Sequence, residues 1–127
     1  MRALVVDDST VMRRILARQL TELGFTCVEA TDGRAALEVC KSGERFDITL
    51  IDWNMPVMNG LELVKALRAD PEHVLDKLVM VTSEAGVNYI QQALGAGADE
   101  YLMKPFTREV LVEKLTALGV PVVTPKP

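Results

Sequence analysis

Four short apolar runs in this sequence each end directly in polar residues. They are the pair Asp7-Asp8, then Asp52, the Thr82-Ser83 hydroxyls, and Lys104 just before Pro105. Three carboxylates crowded together repel, so they need a counter-charge or raised pKa values. Oxygen-only ligands suit a hard cation such as Mg2+, which takes octahedral coordination at roughly 2.0–2.1 Å and keeps several waters. Beside such a cation one carboxylate can act as a nucleophile toward phosphorus. The cation, a lysine ammonium and a hydroxyl then share the charge of a transferring phosphoryl group. Asp52 is the preferred nucleophile, because its run, Ile48–Ile51, reads as a central strand beside the one that ends at Asp7-Asp8. No glycine-rich phosphate loop or Walker sequence is present, so this chemistry does not require the chain to hold a nucleotide.

These groups meet only if the intervening elements bring them together. Five apolar runs, Ala3–Val6, Phe25–Glu29, Ile48–Ile51, Leu78–Val81 and Tyr101–Met103, alternate with five segments of helical spacing. The first helix is marked by Met12, Ile15, Leu16, Leu20 and Leu23 and ends at Gly24; the second by Ala36, Leu37 and Cys40, closing near Ser42-Gly43. Leu61, Val64 and Leu67 mark the third, before Asp70-Pro71, and Val87, Ile90 and Leu94 the fourth, ending at Gly95 or Gly97. Leu111, Leu115 and Leu118 mark the fifth, stopped by Gly119 and Pro121. Strand and helix in strict alternation predict an α/β fold, a doubly wound parallel sheet. The first, third and fourth runs are the most apolar and read as central, which gives the flavodoxin-like strand order 2-1-3-4-5. All of these polar residues then fall on the carboxyl edge of one sheet.

Taken singly, each has a plainer reading. An acid after a strand is commonly a helix cap, and Asp8, Ser9 or Thr10 can each cap the first helix. Asp32-Gly33 reads as a turn and helix start, Thr82 as a turn hydroxyl, Lys104 as a solvated loop lysine and Tyr101 as an edge-strand aromatic. The single histidine, His73, reads as a solvated loop residue rather than a phosphohistidine. The convergence on one edge is what separates the functional reading from the plain ones.

The bulk numbers narrow the class. At 127 residues the chain predicts one domain, with 49% hydrophobic and 25% charged residues. A net charge of −4 gives no general field for nucleic acid or anionic membrane. Cys27 and Cys40 fit no metal or redox spacing and read as buried free thiols suited to a reducing compartment. Only Ala3-Leu4-Val5-Val6 precedes Asp7, too short for an export signal, and no apolar run approaches membrane-spanning length. The expectation is a cytoplasmic protein with no membrane insertion and no direct nucleic-acid contact.

The motifs Val5-Val6-Asp7-Asp8, Asp52-Trp-Asn-Met-Pro, Asn59-Gly60, Val81-Thr82-Ser83-Glu84, Gly95-Ala-Gly-Ala98 and Lys104-Pro105-Phe106 together resemble the receiver domain of two-component response regulators. They span essentially the whole chain. Asp52-Trp-Asn-Met-Pro, Met12-Arg13-Arg14-Ile15 and Glu22–Phe25 resemble most the single-domain chemotaxis (CheY-like) type. The resemblance implies a receiver over residues 1–120 and a Pro-rich tail over 121–127 that frays. It implies Asp52 as phospho-acceptor, with Asp52, Asp8 and the Asn54 main-chain carbonyl around Mg2+ and Asp7 held through water. It implies that Thr82 and Lys104 contact the phosphoryl oxygens, and that Thr82 moves and Tyr101 swings inward on activation. The surface of the fourth helix, fifth strand and fifth helix would change in response. Asn54 and Glu84 match positions that tune dephosphorylation, and Lys104-Pro105 is expected to be cis. The implied partners are a histidine kinase as donor and a downstream target protein, with the chain a monomer or weak dimer. It would be a stand-alone switch rather than an enzyme with an external substrate.

Two residues depart from the flagellar-switch pattern: Ser9 replaces an aromatic, and the fourth helix opens Ala85-Gly86-Val87-Asn88 without basic residues. Two other readings share parts of this pattern. One is a phosphorelay shuttle to a histidine phosphotransfer protein. The other is an aspartate-nucleophile phosphatase of the haloacid dehalogenase type, whose first motif wants a second acid where Ser9 stands.

Overall fold

The carboxyl edge anticipated above exists because five short strands are too apolar to sit anywhere but inside. In the computed structural model, residues 1–83 and 88–123 are described in full and Val87 by its backbone. The strands are β1 (Arg2–Val6), β2 (Thr26–Ala30), β3 (Ile48–Asp52), β4 (Leu78–Thr82) and β5 (Glu100–Met103). All pair in parallel, in the order β2-β1-β3-β4-β5. Every residue of β3 and β4 is buried, whereas β2 and β5 each expose one side in part, as edge strands do.

Among the described residues the helices are α1 (Thr10–Glu22), α2 (Gly33–Lys41), α3 (Gly60–Arg68), α4 (Val87–Ala96) and α5 (Arg108–Ala117), with a 3-10 turn at Pro71–His73. Their starts are written locally. Ser9, Asp32 and Thr107 each accept a backbone N–H three residues on, and Asn59 and Glu62 form a reciprocal capping box worth about 1 kcal/mol. Two apolar layers sandwich the sheet. α1 and α5 cover Ala3, Val5, Leu50 and Val81 on one face. α2, α3 and α4 cover Leu4, Val6, Ile51 and Met80 on the other.

Three expectations are corrected by packing. On α1 and its C-cap, Leu16, Leu20 and Leu23 are buried as expected and Met12 is half-buried, but Ile15 is exposed and Arg13 and Ala17 join the buried stripe instead. α4 buries Ala93 and leaves Ile90 and Leu94 largely exposed, so two of its predicted core residues form surface. His73 is buried rather than solvated: its Nδ1 lies 2.6 Å from Asp76 Oδ2, and the Arg68 guanidinium binds the carbonyls of His73, Val74 and Asp76 around it. Within the expected tail, the Val123 amide donates to the Leu23 carbonyl at 2.9 Å and Val122 packs on the core; residues 124–127 lie outside the described residues. Cys27 and Cys40 are free thiols, half-buried and buried respectively. No helix among the described residues is long and apolar enough to cross a membrane.

Candidate functional site

β1, β3 and β4 end together, and the sheet register decides what meets there. Val6 pairs with Ile51, Asp52 with Val81 and Thr82 with Met103, so Asp7, Asp52, Thr82 and Lys104 share one edge. Carboxylate oxygens of Asp7, Asp8 and Asp52 all lie within 4.8 Å of one another. Asp7 and Asp52 are buried and Asp8 is exposed, so the cluster is open on one side. Into it reaches Lys104, with Nζ 3.1 Å from Asp7 Oδ2 and 3.1 Å from Asp52 Oδ1. The Lys104 amide donates to the Thr82 carbonyl at 2.8 Å, and the Lys104-Pro105 peptide is cis. Thr82 itself is fully buried at the end of β4.

The loop after Asp52 is held close. Gly60 opens α3 by donating to the Trp53 carbonyl at 2.9 Å, and a Cβ there would collide with the Asp52 carbonyl oxygen. Gly33, at the start of α2, donates to the Met58 carbonyl at 3.2 Å and is as crowded against Met58. Between these clamps Val57 takes a left-handed φ of 67° and Asn54 is exposed. Trp53 stands edge-on to Tyr89 of α4, ring centres 5.4 Å apart, tying that helix to the residue next to Asp52. Tyr101 is buried in the apolar layer shared with Trp53 and Met80. Glu84 lies outside the described residues.

Charge in the cluster is unbalanced. Burial raises the Asp52 pKa; Lys104 lowers it, but Asp7 and Asp8 push it further up, and the net direction is upward. Burial alone would lower the Lys104 pKa, yet Asp52 and Asp7 outweigh it and hold the ammonium protonated. Three carboxylates facing one ammonium leave room for more positive charge, and an all-oxygen donor set suits a hard divalent ion. The residues present therefore fit Mg2+.

Two residues the sequence reading did not single out for this site stand behind it. Arg13 Nη1 donates to the Asp7 main-chain carbonyl at 2.9 Å, and its Nε to Glu29 Oε1 at 3.0 Å. The available signal was a cation one turn before Leu16 and Ala17, on the buried side of α1.

A sequence profile of the response regulator receiver domain matches residues 3–116. The chain belongs to that family. Among curated relatives, this receiver is 47% identical over 116 residues to a chemotaxis protein CheY homolog of Campylobacter jejuni, covering 91% of this chain and 89% of that one. It is likewise 47% identical to the chemotaxis protein CheY of Pseudomonas aeruginosa, covering 91% and 93%. Among solved structures, it superposes on Vibrio cholerae CheY4 with a TM-score of 0.85 at 36% identity, covering 91% and 96%. It also superposes on the receiver domain of a Pseudomonas aeruginosa sensor histidine kinase, solved with magnesium in its active site cleft, with a TM-score of 0.84 at 28% identity, covering 91% and 94%.

Proposed function

We propose that this receiver is a cytoplasmic, stand-alone phosphorylation switch of the chemotaxis type that accepts a phosphoryl group on Asp52 from a histidine kinase. The observation that carries the reading is the Lys104 ammonium bridging Asp7 and Asp52 at 3.1 Å each, in a cluster of three carboxylates. A structure in which an ammonium already touches the acceptor oxygen has its charge stabiliser in place before the donor arrives.

In the proposed reaction an Asp52 oxygen attacks the phosphorus of a phosphohistidine. The new P–O bond forms as the P–N bond breaks, and the imidazole leaves with the electron pair. Lys104 and Thr82 take the phosphoryl oxygens. Asp52, Asp8 and the Asn54 main-chain carbonyl would hold Mg2+, with Asp7 supporting it through water, and the ion would supply charge neutralisation. Water later attacks the phosphorus, returning the Asp52 carboxylate and inorganic phosphate; Asn54 and Glu84 set that rate. The chain turns over no external substrate beyond its donor. Residues 1–120 form the receiver, with 121–127 a short Pro-rich tail.

The output surface in this reading is α4-β5-α5. Ile90, Leu94 and Met103 expose apolar area there, and a cleft of about 380 Å3 lined by Ile90, Tyr101, Phe106, Val110 and Lys114 opens beside Tyr101. A target protein binding there would sense Thr82 and Tyr101, with the receiver acting as a monomer or weak dimer. The CheY relatives support a chemotaxis pathway.

Phosphotransfer from a panel of autophosphorylated histidine kinases tests the reading. Label should pass to the wild type with Mg2+ and not to Asp52→Asn; equal labelling of both would defeat it. Capture of a histidine phosphotransfer protein rather than a terminal target would make the receiver a relay intermediate.

A further inference from the structure

Arg13 is an unusual residue for its place. It sits in the buried stripe of α1 between the sheet and the helix, only 9% exposed, where leucine or alanine would pack without a polar group to satisfy. Its guanidinium spends two donors in two directions, on the Asp7 carbonyl at 2.9 Å and on Glu29 of β2 at 3.0 Å. Glu29 stands on the edge strand, in register with Val5, two residues before Asp7.

Asp7 is held at every polar atom. Its amide donates to the Ala30 carbonyl, its Oδ1 accepts from the Ser9 amide at 2.9 Å, and its Oδ2 accepts from Lys104. Arg13 supplies the last contact, on the carbonyl that begins the Asp7–Asp8 peptide. That peptide plane sets where the exposed Asp8 carboxylate points, and Arg13 is the α1 side chain that bonds to it.

We propose that Arg13, oriented by Glu29, is a positioning residue for the acidic cluster: by fixing the Asp7–Asp8 peptide it sets the affinity of these carboxylates for Mg2+. The proposal rests on the reading of the cluster as a Mg2+ site. It makes a counterintuitive prediction of sign. As a bare charge, Arg13 repels an incoming cation, so its loss would tighten binding. As a positioning group it holds a ligand-bearing peptide in place, and its loss would weaken binding by about tenfold, the usual scale for removing a support behind a metal ligand. The two accounts point in opposite directions.

The experiment is a Mg2+ titration of the whole protein, followed by Trp53 fluorescence and by calorimetry, for wild type, Arg13→Lys, Arg13→Met and Glu29→Gln. Lysine keeps the charge but lacks the fork that spans both acceptors. Arg13→Lys and Arg13→Met should therefore both bind about tenfold more weakly, while Glu29→Gln, which keeps the acceptor, stays within about twofold of wild type. Thermal melts in the absence of metal show which variants are folded, and Arg13→Lys decides the matter if Arg13→Met is not. Unchanged or tighter binding by Arg13→Lys overturns the proposal. A wild type that binds no Mg2+ removes the metal-site reading itself, and the proposal with it.

Discussion

Lys104 Nζ stands 3.1 Å from Asp52 Oδ1, although the two residues come from strands separated by β4 in the sheet. The contact is possible because Lys104 follows β5 directly and its amide is pinned to the Thr82 carbonyl, which aims the side chain back across the edge. The same ammonium reaches Asp7.

Removing that ammonium leaves three carboxylates facing one another. Lys104→Met should lower the stability of the metal-free protein by about 2 kcal/mol, less than for a fully enclosed pair because Lys104 retains some solvent contact. Millimolar Mg2+ should recover much of the deficit by replacing the lost charge. Urea unfolding with and without Mg2+ measures both.

Asp52 carries the opposite sign. Its pKa is raised in the folded protein, so between the ordinary value of 3.8 and the raised one the native state holds its proton more tightly than the unfolded chain. Stability conferred by the protonated form is therefore lost as pH rises through that window. Without metal, Asp52→Asn should be more stable than wild type at neutral pH by about 1 kcal/mol, and the two should converge below pH 3.8. Melting temperature against pH, in chelator, checks this.

Gly60 and Gly95 make a matched pair. A methyl at Gly60 meets the Asp52 carbonyl and the Trp53 Cα, whereas one at Gly95, inside α4, meets nothing within 4 Å. Gly60→Ala should cost about 3 kcal/mol, and Gly95→Ala should stabilise by about 0.5 kcal/mol through lower chain entropy. Chemical denaturation of the two variants side by side gives both numbers.

Much of this arrangement is legible in the order of residues, because strand ends and helix starts are local. Asp32, Asn59 and Gly97 mark boundaries by their own chemistry, and five apolar runs of decreasing purity toward the edges dictate strand order. What escapes is set by neighbours distant in sequence. His73 reads as a loop residue until Asp76 and Arg68 enclose it. The burial of Arg13 on α1 depends on its finding Asp7 and Glu29, a contact that hydropathy counts against. Ile90 and Leu94 look like core because periodicity does not distinguish a buried stripe from an exposed apolar one. Roles at the site came from the convergence of strand ends and from family resemblance together, since each residue alone has a plainer reading.

Cys40 offers a test of the packing on the face away from α1. Burial, with Asp76 and Glu44 nearby, pushes its thiol up to about 11, so at pH 8 about one thousandth is thiolate. Thiol titration of the native protein at pH 8 should leave Cys40 unmodified for hours, and unfolding in guanidinium should release it at once.

The central claim is the bond formed at Asp52, and it can be read chemically. Intact protein is incubated with acetyl phosphate and Mg2+, reduced with borohydride to convert any acyl phosphate into an alcohol, digested and mapped by mass spectrometry. The account predicts homoserine at position 52 in the Mg2+ sample and none after chelation. Reduction at another carboxylate, or an unmodified position 52 alongside an intact phosphorylated protein, would contradict it.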